Sequence, residues 1–175
     1  MTAETGVQRD GLRADPEISA ILWSVRRVWH PGTRGYSQNA MTMRKELLRF
    51  NGAVERDPAI DAWMKEHAGE LGAIAHQWFE VMRKCGDEVR ELLHDGCPVA
   101  CLGDAPFGYV NVFTSHVNVG FFQGAALPDP DHLLQGIGKF MRRVKLRPGT
   151  ATSAARLSEL IDAAYADIKA RVEHG

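Results

Sequence analysis

The stretch HVNVGFFQGAALPDPDHLLQGIGKFMRRVKLR, residues 116–147, decides the fold that the sequence predicts. Val117, Val119 and Phe121 alternate with His116, Asn118, Gly120 and Phe122, which is the period of two of a β-strand, and a strand is predicted over 116–122. Glycines and prolines then break the pattern, and a single helical turn is predicted over 132–135. The alternation returns over 139–147. Residues 116–147 are therefore expected to form two strands joined by a glycine-rich connection.

Upstream, residues 89–94 form either a first strand, which we favour, or the last turn of a helix. Two further strands are predicted over 98–102 and 107–113. In the last of these, Phe107, Tyr109 and Asn111 alternate with smaller residues, so we expect them to share one face. Short strands joined by short turns are typical of an antiparallel meander.

Helical patterns flank the strands. Asp57-Pro58 predicts a helix start, and a further helix is predicted after Gly72. A closing helix is predicted from Thr152 or Ser153, and its expected apolar face is Leu157, Leu160, Ile161, Ala164, Ile168 and Val172. Together these elements predict an α+β fold, an antiparallel sheet of about five strands with helices packed on one face.

The chain before the sheet divides into two parts. Residues 1–14 lack periodicity, so a mobile tail is predicted there. An N-terminal helical extension is predicted over 15–57, with helices near 16–29 and 38–50. The apolar side of the first helix needs a surface to cover. That surface lies either on the α+β domain of residues 58–173 or on a second subunit, which leaves a homodimer open.

Composition limits the classes of partner. The net charge of −1 argues against wrapping by nucleic acid and against general adsorption to a membrane. The polar N-terminus has no apolar core of a signal peptide, and the three cysteines are too few for a disulfide scaffold. These features predict a cytoplasmic protein.

Positive charge is concentrated on the last predicted strand. Alternation places four cations on one side of it: Lys139, Arg143, Lys145 and Arg147. Such a row could hold phosphates or carboxylates, or it could deter the pairing of an edge strand with other chains.

Arg142 has the opposite parity and is expected among Phe140, Val144 and Leu146. A guanidinium on an apolar face is costly unless it is paired. It is therefore predicted either to meet a carboxylate such as Asp129 or Asp131, or to enter a pocket that receives an anionic ligand.

A second candidate surface joins two strands. His116 and Asn118 share a strand face, and Tyr109 and Asn111 are expected opposite them across the hairpin. The alternative is an ordinary solvated sheet face. The candidate ligand-binding residues are Arg142, His116, Asn118, Tyr109, Asn111, Lys139 and Arg143.

Three other sequence features do not predict a metal, phosphate or catalytic site. His94, Cys97 and Cys101 lack the second ligand pair of common zinc sites, so no metal site is predicted there. Gly136-x-Gly138-Lys139 lacks the spacing of a phosphate loop and leads into a strand. No catalytic residue is predicted, because no nucleophile and base are placed together by their spacing.

The stretch VNVGFFQGAALPDPDHLLQGIGKFMRRVKL, residues 117–146, resembles the signature of the YdhG-like domain family, a family of unknown function. The segment LLHDGCPV at 92–99 and the helix pair from about 58 are similar to the middle part of that family. The resemblance implies a frataxin-like α+β domain, with helices against an antiparallel sheet. It also implies iron delivery as a function, because one member is discussed as an intracellular iron chaperone.

The predicted function is non-catalytic binding of a small anionic ligand or of a protein partner. An iron-binding chaperone is the alternative, and iron is the one cofactor considered. A weaker alternative is an enzyme of unknown reaction, with an active site assembled from His116, Asn118, Asp104 and Arg142.

Overall fold

The computed structural model describes residues 47–150 and 152–174. The predicted tail at 1–14, the helix at 16–29 and most of the helix at 38–50 lie outside the described residues. Residues 47–50, the predicted end of that second helix, have no regular secondary structure. Phe50 instead packs its ring on the rings of His94 and Phe122, with centroids 4.0 and 5.6 Å away.

The described residues form three α-helices and five strands, in the order that the sequence predicts. The helices are α1 (Pro58–Glu66), α2 (Glu70–Arg83) and α3 (Ala154–His174). The strands are β1 (Val89–His94), β2 (Cys97–Leu102), β3 (Ala105–Val112), β4 (Val117–Phe121) and β5 (Arg142–Leu146). The strands form one antiparallel sheet in the order β1-β2-β3-β4-β5. The predicted α+β class is confirmed.

The hydrophobic core lies between the helices and one face of the sheet. Opposite residues such as Val110 and Val119 in β3 and β4 are fully buried, and Val144 in β5 continues this row. The helices contribute Ile60, Trp63, Ala75, Trp78, Phe79, Met82, Leu157, Leu160, Ile161, Ala164 and Ile168. Because side chains alternate across a strand, the residues between the valines lie on the other side of the sheet, which we call the second face.

A β-bulge in β3 changes the predicted alternation. Ala100 pairs with Gly108 and Cys101 pairs with Pro106, so Phe107 is an extra residue in the ladder. Phe107 therefore joins the core, where its ring centroid lies 5.7 Å from that of Tyr165 in α3. Tyr109 lies on the second face. The prediction that Phe107 and Tyr109 share a face is wrong, because the bulge shifts the alternation by one residue.

Two helix predictions need correction. α2 begins at Glu70, so Gly72 lies in its first turn, where a methyl group would collide with the carbonyl oxygen of His67 at 1.3 Å. Residues 132–135 are not helical. The amides of Leu133 and Leu134 donate to the Asp129 carboxylate at 2.8 Å, and a 3₁₀ turn occurs earlier, at Gly124–Ala126.

The last strand is shorter than predicted. β5 begins at Arg142, and residues 138–140 form a bend before it. Gln135 and Arg143 exchange two backbone hydrogen bonds, which fold the connection back along β5. Lys139 therefore lies outside the strand, and the predicted row of four cations is reduced to Arg143 and Lys145 within it.

The start of α1 is confirmed and also anchors β1. Asp57 caps the helix by accepting a hydrogen bond from the Ala59 amide at 2.9 Å. The other carboxylate oxygen accepts one from the Leu93 amide at 2.9 Å. Val54 pairs with Glu91 through two backbone bonds, so residues 54–57 extend along the β1 edge.

Within the described residues, no helix has the length and apolar composition needed to cross a bilayer.

Candidate functional site

Polar side chains collect on the second face of β3, β4 and β5. Tyr109 lies opposite Gly120, and Asn111 lies opposite Asn118. Across the next ladder, Arg143 lies opposite Gly120 and Lys145 opposite Asn118. We call these five side chains the polar cluster: Tyr109, Asn111, Asn118, Arg143 and Lys145. None of the five is acidic, so the cluster carries net positive charge.

Tyr109 lies across the centre of the polar cluster. A methyl group at position 120 would stand 2.0 Å from two of its ring carbons and 2.5 Å from its hydroxyl oxygen, so the ring covers Gly120 closely. Burial raises the pKa of Tyr109 to about 12, with a further increase from Cys97 and an opposing effect from the charge of Arg143. The phenol is therefore protonated at neutral pH and can donate a hydrogen bond.

Two polar atoms of the cluster are buried and unsatisfied. Asn118 is only 4% exposed, yet its Oδ1 accepts no hydrogen bond from any described residue. The Nε of Arg143 is also buried and donates none within the described part of the chain. An unpaired buried polar group costs roughly 1–3 kcal/mol, and more when it is charged. Such groups are uncommon in native proteins and call for a specific reason.

His116 lies at the end of the same face, immediately before β4. It is buried, and its ring stacks on Phe113 with centroids 4.7 Å apart and an interplanar angle of 15°. Its Nδ1 stands 3.4 Å from the hydroxyl oxygen of Ser115, near the outer limit of a hydrogen bond. His116 and Asn118 therefore lie near the same end of β4, as the alternation in the sequence predicts.

Arg142 pairs with neither of the two predicted carboxylates, and the alternative that it enters a pocket for an anionic ligand stays a prediction. Its NH1 donates to the backbone carbonyls of Gly138 and Met141, at 2.6 and 2.7 Å. The two candidate carboxylates are engaged elsewhere, because Asp129 accepts backbone amides and Asp131 pairs with Arg156 at 2.9 Å. Arg142 thus stabilises the bend before β5, and its strand position faces away from the polar cluster.

The remaining predicted site residues are dispersed. Lys139 is exposed, and its ammonium lies 5.0 Å from the centre of the Phe140 ring. Asp104 lies in the β2–β3 turn and pairs with Arg49. His116 is beyond the far end of β3, which at eight residues spans about 27 Å. The residues named for the enzyme alternative are therefore not brought together.

A second group of buried charges was missed by the sequence reasoning. Glu91, only 1% exposed, receives two hydrogen bonds from Arg83, at 2.6 and 2.8 Å, and one from the Asp57 amide at 2.9 Å. Arg83 also bonds Glu80. We call Glu80, Arg83 and Glu91 the ion-paired cluster. The alternation that puts Glu91 with Val89 on the helix side was the signal that could have revealed it.

Two members of the ion-paired cluster, Glu80 and Arg83, have shifted pKa values. Burial raises the pKa of Glu80, but the hydrogen bond and charge of Arg83 outweigh burial and lower it overall. Burial alone would lower the pKa of Arg83, whereas its bonds to Glu91 and Glu80 raise it. Glu80 and Arg83 are therefore both ionised at neutral pH. Both carboxylate oxygens of Glu91 accept hydrogen bonds.

Two cavities lie away from the polar cluster. One, of about 470 Å³, lies at the α1–α2 junction and is lined by Asp61, Met64, Lys65, His67 and His76 among others. The other, of about 240 Å³, is lined by residues 128–131, by Leu133 and by the first turns of α3. Each contains a polar side chain with a partner in the fold: His67 contacts the Trp63 carbonyl, and Asp131 pairs with Arg156.

Comparison with protein-family models, with curated proteins and with solved structures finds no match. The resemblance to the YdhG-like family, with its frataxin-like arrangement, therefore has no support and stays a prediction. Among the described residues, no group of three or more His, Cys, Asp or Glu side chains is arranged to hold a metal ion. The iron-chaperone alternative, the cytoplasmic location and the homodimer also stay predictions.

Proposed function

We propose that this protein is a non-catalytic binding module for a small anionic ligand, which it holds at the polar cluster. The observation that supports the proposal is the buried Nε of Arg143, a cationic donor without a partner among the described residues. An anionic oxygen placed there would form a charge-assisted hydrogen bond and would remove the cost of the unsatisfied donor.

The surroundings of Arg143 favour an anion. Lys145 lies two residues further along β5 on the same face, and the Tyr109 hydroxyl lies over Gly120, directly opposite Arg143. The cluster thus offers two cations and a protonated phenol, without a carboxylate of its own to compete. With a pKa of about 12, Tyr109 is poorly suited to act as a general base near neutral pH, so these groups suit binding better than proton transfer.

Isothermal titration of the full chain with propionate and with inorganic phosphate tests the proposal. Arg143→Gln removes the positive charge, and we expect it to weaken binding about tenfold or more. Arg147→Gln is the matched control, because it removes an equal charge from an exposed position just beyond β5. We expect that control to bind nearly as the parent does.

Two results would contradict the proposal. One is the absence of measurable heat with both anions at millimolar concentrations. The other is an equal weakening by Arg143→Gln and Arg147→Gln, since that would indicate general electrostatic attraction rather than a site at Arg143.

A further inference from the structure

We infer that the ligand carries a hydrogen-bond donor close to its anionic group, as a small hydroxy- or amino-carboxylate does. This inference rests on the proposed function, because it concerns the ligand of the same polar cluster. It adds a second requirement, which comes from Asn118 rather than from Arg143.

The two unsatisfied atoms have opposite needs. The Nε of Arg143 is a donor and a cation, so it is complemented by an anionic oxygen. The Oδ1 of Asn118 is an acceptor, so it is complemented by an O–H or N–H group. A plain carboxylate satisfies the arginine but offers the amide oxygen only another acceptor. A ligand that satisfies both atoms must therefore combine an anion with a donor.

The sheet register brings the two atoms within reach of one small molecule. Arg143 lies opposite Gly120, and Asn118 is two residues before Gly120 on the same face. Such diagonal neighbours have α-carbons roughly 7–8 Å apart, and their side chains can approach more closely. The Tyr109 ring covers Gly120, the residue of β4 that lies opposite Arg143, so a ligand that contacts both side chains must be small.

Because Asn118 is buried, a ligand without a hydrogen-bond donor leaves the amide oxygen of this residue unpaired at a high cost in free energy. At 4% exposure its amide is almost out of contact with water, so an acceptor left unpaired in the complex keeps its full cost. Sites built to bond a ligand hydroxyl reject the analogue that lacks it, because their own buried polar group is then left unpaired. We therefore expect the protein to discriminate between ligands that differ by one hydroxyl group.

Lactate and propionate form a matched pair of probes, since they differ only by the hydroxyl on the carbon next to the carboxylate. In titrations of the full chain, we expect lactate to bind about tenfold more tightly than propionate. Asn118→Leu replaces the amide by methyl groups of similar arrangement, and it should abolish the advantage of lactate while propionate still binds. Asn118→Val, which suits a strand, serves if the leucine variant does not fold. Arg143→Gln should weaken both ligands.

The outcomes separate this inference from the proposed function. Equal affinities for the two ligands, both lowered by Arg143→Gln, would overturn the donor requirement and leave the anion site in place. Tighter binding of propionate would overturn it as well, because it would mean that the amide of Asn118 presents its NH₂ group to the ligand. If neither lactate nor propionate binds at millimolar concentrations, the proposed function fails together with this inference.

Discussion

The two faces of the sheet hold polar groups of different kinds. On the helix side, Arg83 and Glu91 lie in the core region with their hydrogen bonds complete, and the Asp57 amide supplies one more donor to the carboxylate. On the second face, Asn118 and Arg143 each bury a polar atom that no described residue satisfies. Both groups are partly or fully buried. Only the group on the helix side, Arg83 and Glu91, finds its hydrogen-bond partners within the described part of the fold.

This difference separates stabilisation from binding. A completed ion pair joins elements of the fold, and removing one member leaves a buried charge. An incomplete group reduces the stability of the free protein and regains the lost energy when a ligand completes it. Substitutions in the ion-paired cluster should therefore change stability, and substitutions in the polar cluster should change binding.

The largest effect is expected from Glu91→Leu. It removes the carboxylate and leaves the guanidinium of Arg83, whose side chain is 8% exposed, with fewer partners. We expect a loss of about 3–5 kcal/mol in the free energy of unfolding, measured by urea denaturation. The double variant Arg83→Met/Glu91→Leu should recover much of that loss, because no buried charge is then left. A loss below about 1 kcal/mol for the single variant would show that the cluster is not structural.

Gly120→Ala should have the next largest effect, because the new methyl group would collide with the Tyr109 ring at 2.0 Å. Displacing a packed aromatic ring costs about 1–3 kcal/mol in stability. Gly138→Ala is the control, since its nearest neighbour would be the Met141 carbonyl oxygen at 4.0 Å. Thermal unfolding of both variants checks this, and equal melting temperatures would argue against the close covering of Gly120.

Acid should weaken the helix side through its carboxylates. The pKa of Glu88 is lowered from 4.5 to about 2, first by a hydrogen bond from Lys169 and then by one from Tyr165, and the pKa of Glu80 is also lowered. A depressed folded-state pKa contributes stability above the unfolded value that is lost as the pH falls through the folded value. Stability should therefore decline from about pH 4.5 towards about pH 2.

Urea unfolding at several pH values within that window measures the decline. Glu88→Gln cannot titrate, so its stability should fall less steeply with acid than that of the parent protein. Parallel pH profiles for the two proteins would show that the Glu88 interactions contribute nothing to the acid response.

The smallest change in stability is expected from Asn118→Leu. The unsatisfied acceptor is replaced by apolar atoms in a buried position, so the free energy of unfolding should stay within about 1 kcal/mol of the parent value or rise. Urea denaturation provides the measurement. A loss as large as that of Glu91→Leu would mean that the Asn118 amide is part of the structural framework of the sheet.

Much of the fold could be predicted because its signals are local. The alternation of Val117 and Val119 indicates β4, and Asp57-Pro58 marks the start of α1, without knowledge of distant contacts. The bulge at Phe107 could not be predicted in this way, because it depends on how β2 pairs with β3. The same holds for the pairing of Arg83 with Glu91, which joins a helix to a strand.

The candidate site was predicted in part. Alternation correctly brings Tyr109, Asn111 and Asn118 to one face, and it separates Arg143 from Arg142. The role of Arg142 could not be foreseen, because it depends on the connection before β5. There Gly136 has a φ of 125°, and the carbonyls of Gly138 and Met141 accept hydrogen bonds from the guanidinium. Unsatisfied atoms are equally invisible in a sequence, since they depend on every neighbour in three dimensions.

The most direct test is to locate lactate binding by amide chemical shifts in the 175-residue chain. We predict saturable changes confined mainly to Val117–Phe121 and Arg142–Leu146, the two strands that carry Asn118 and Arg143. Changes centred instead on the α1–α2 junction, or no change at millimolar lactate, would contradict the claim that the second face is built for binding.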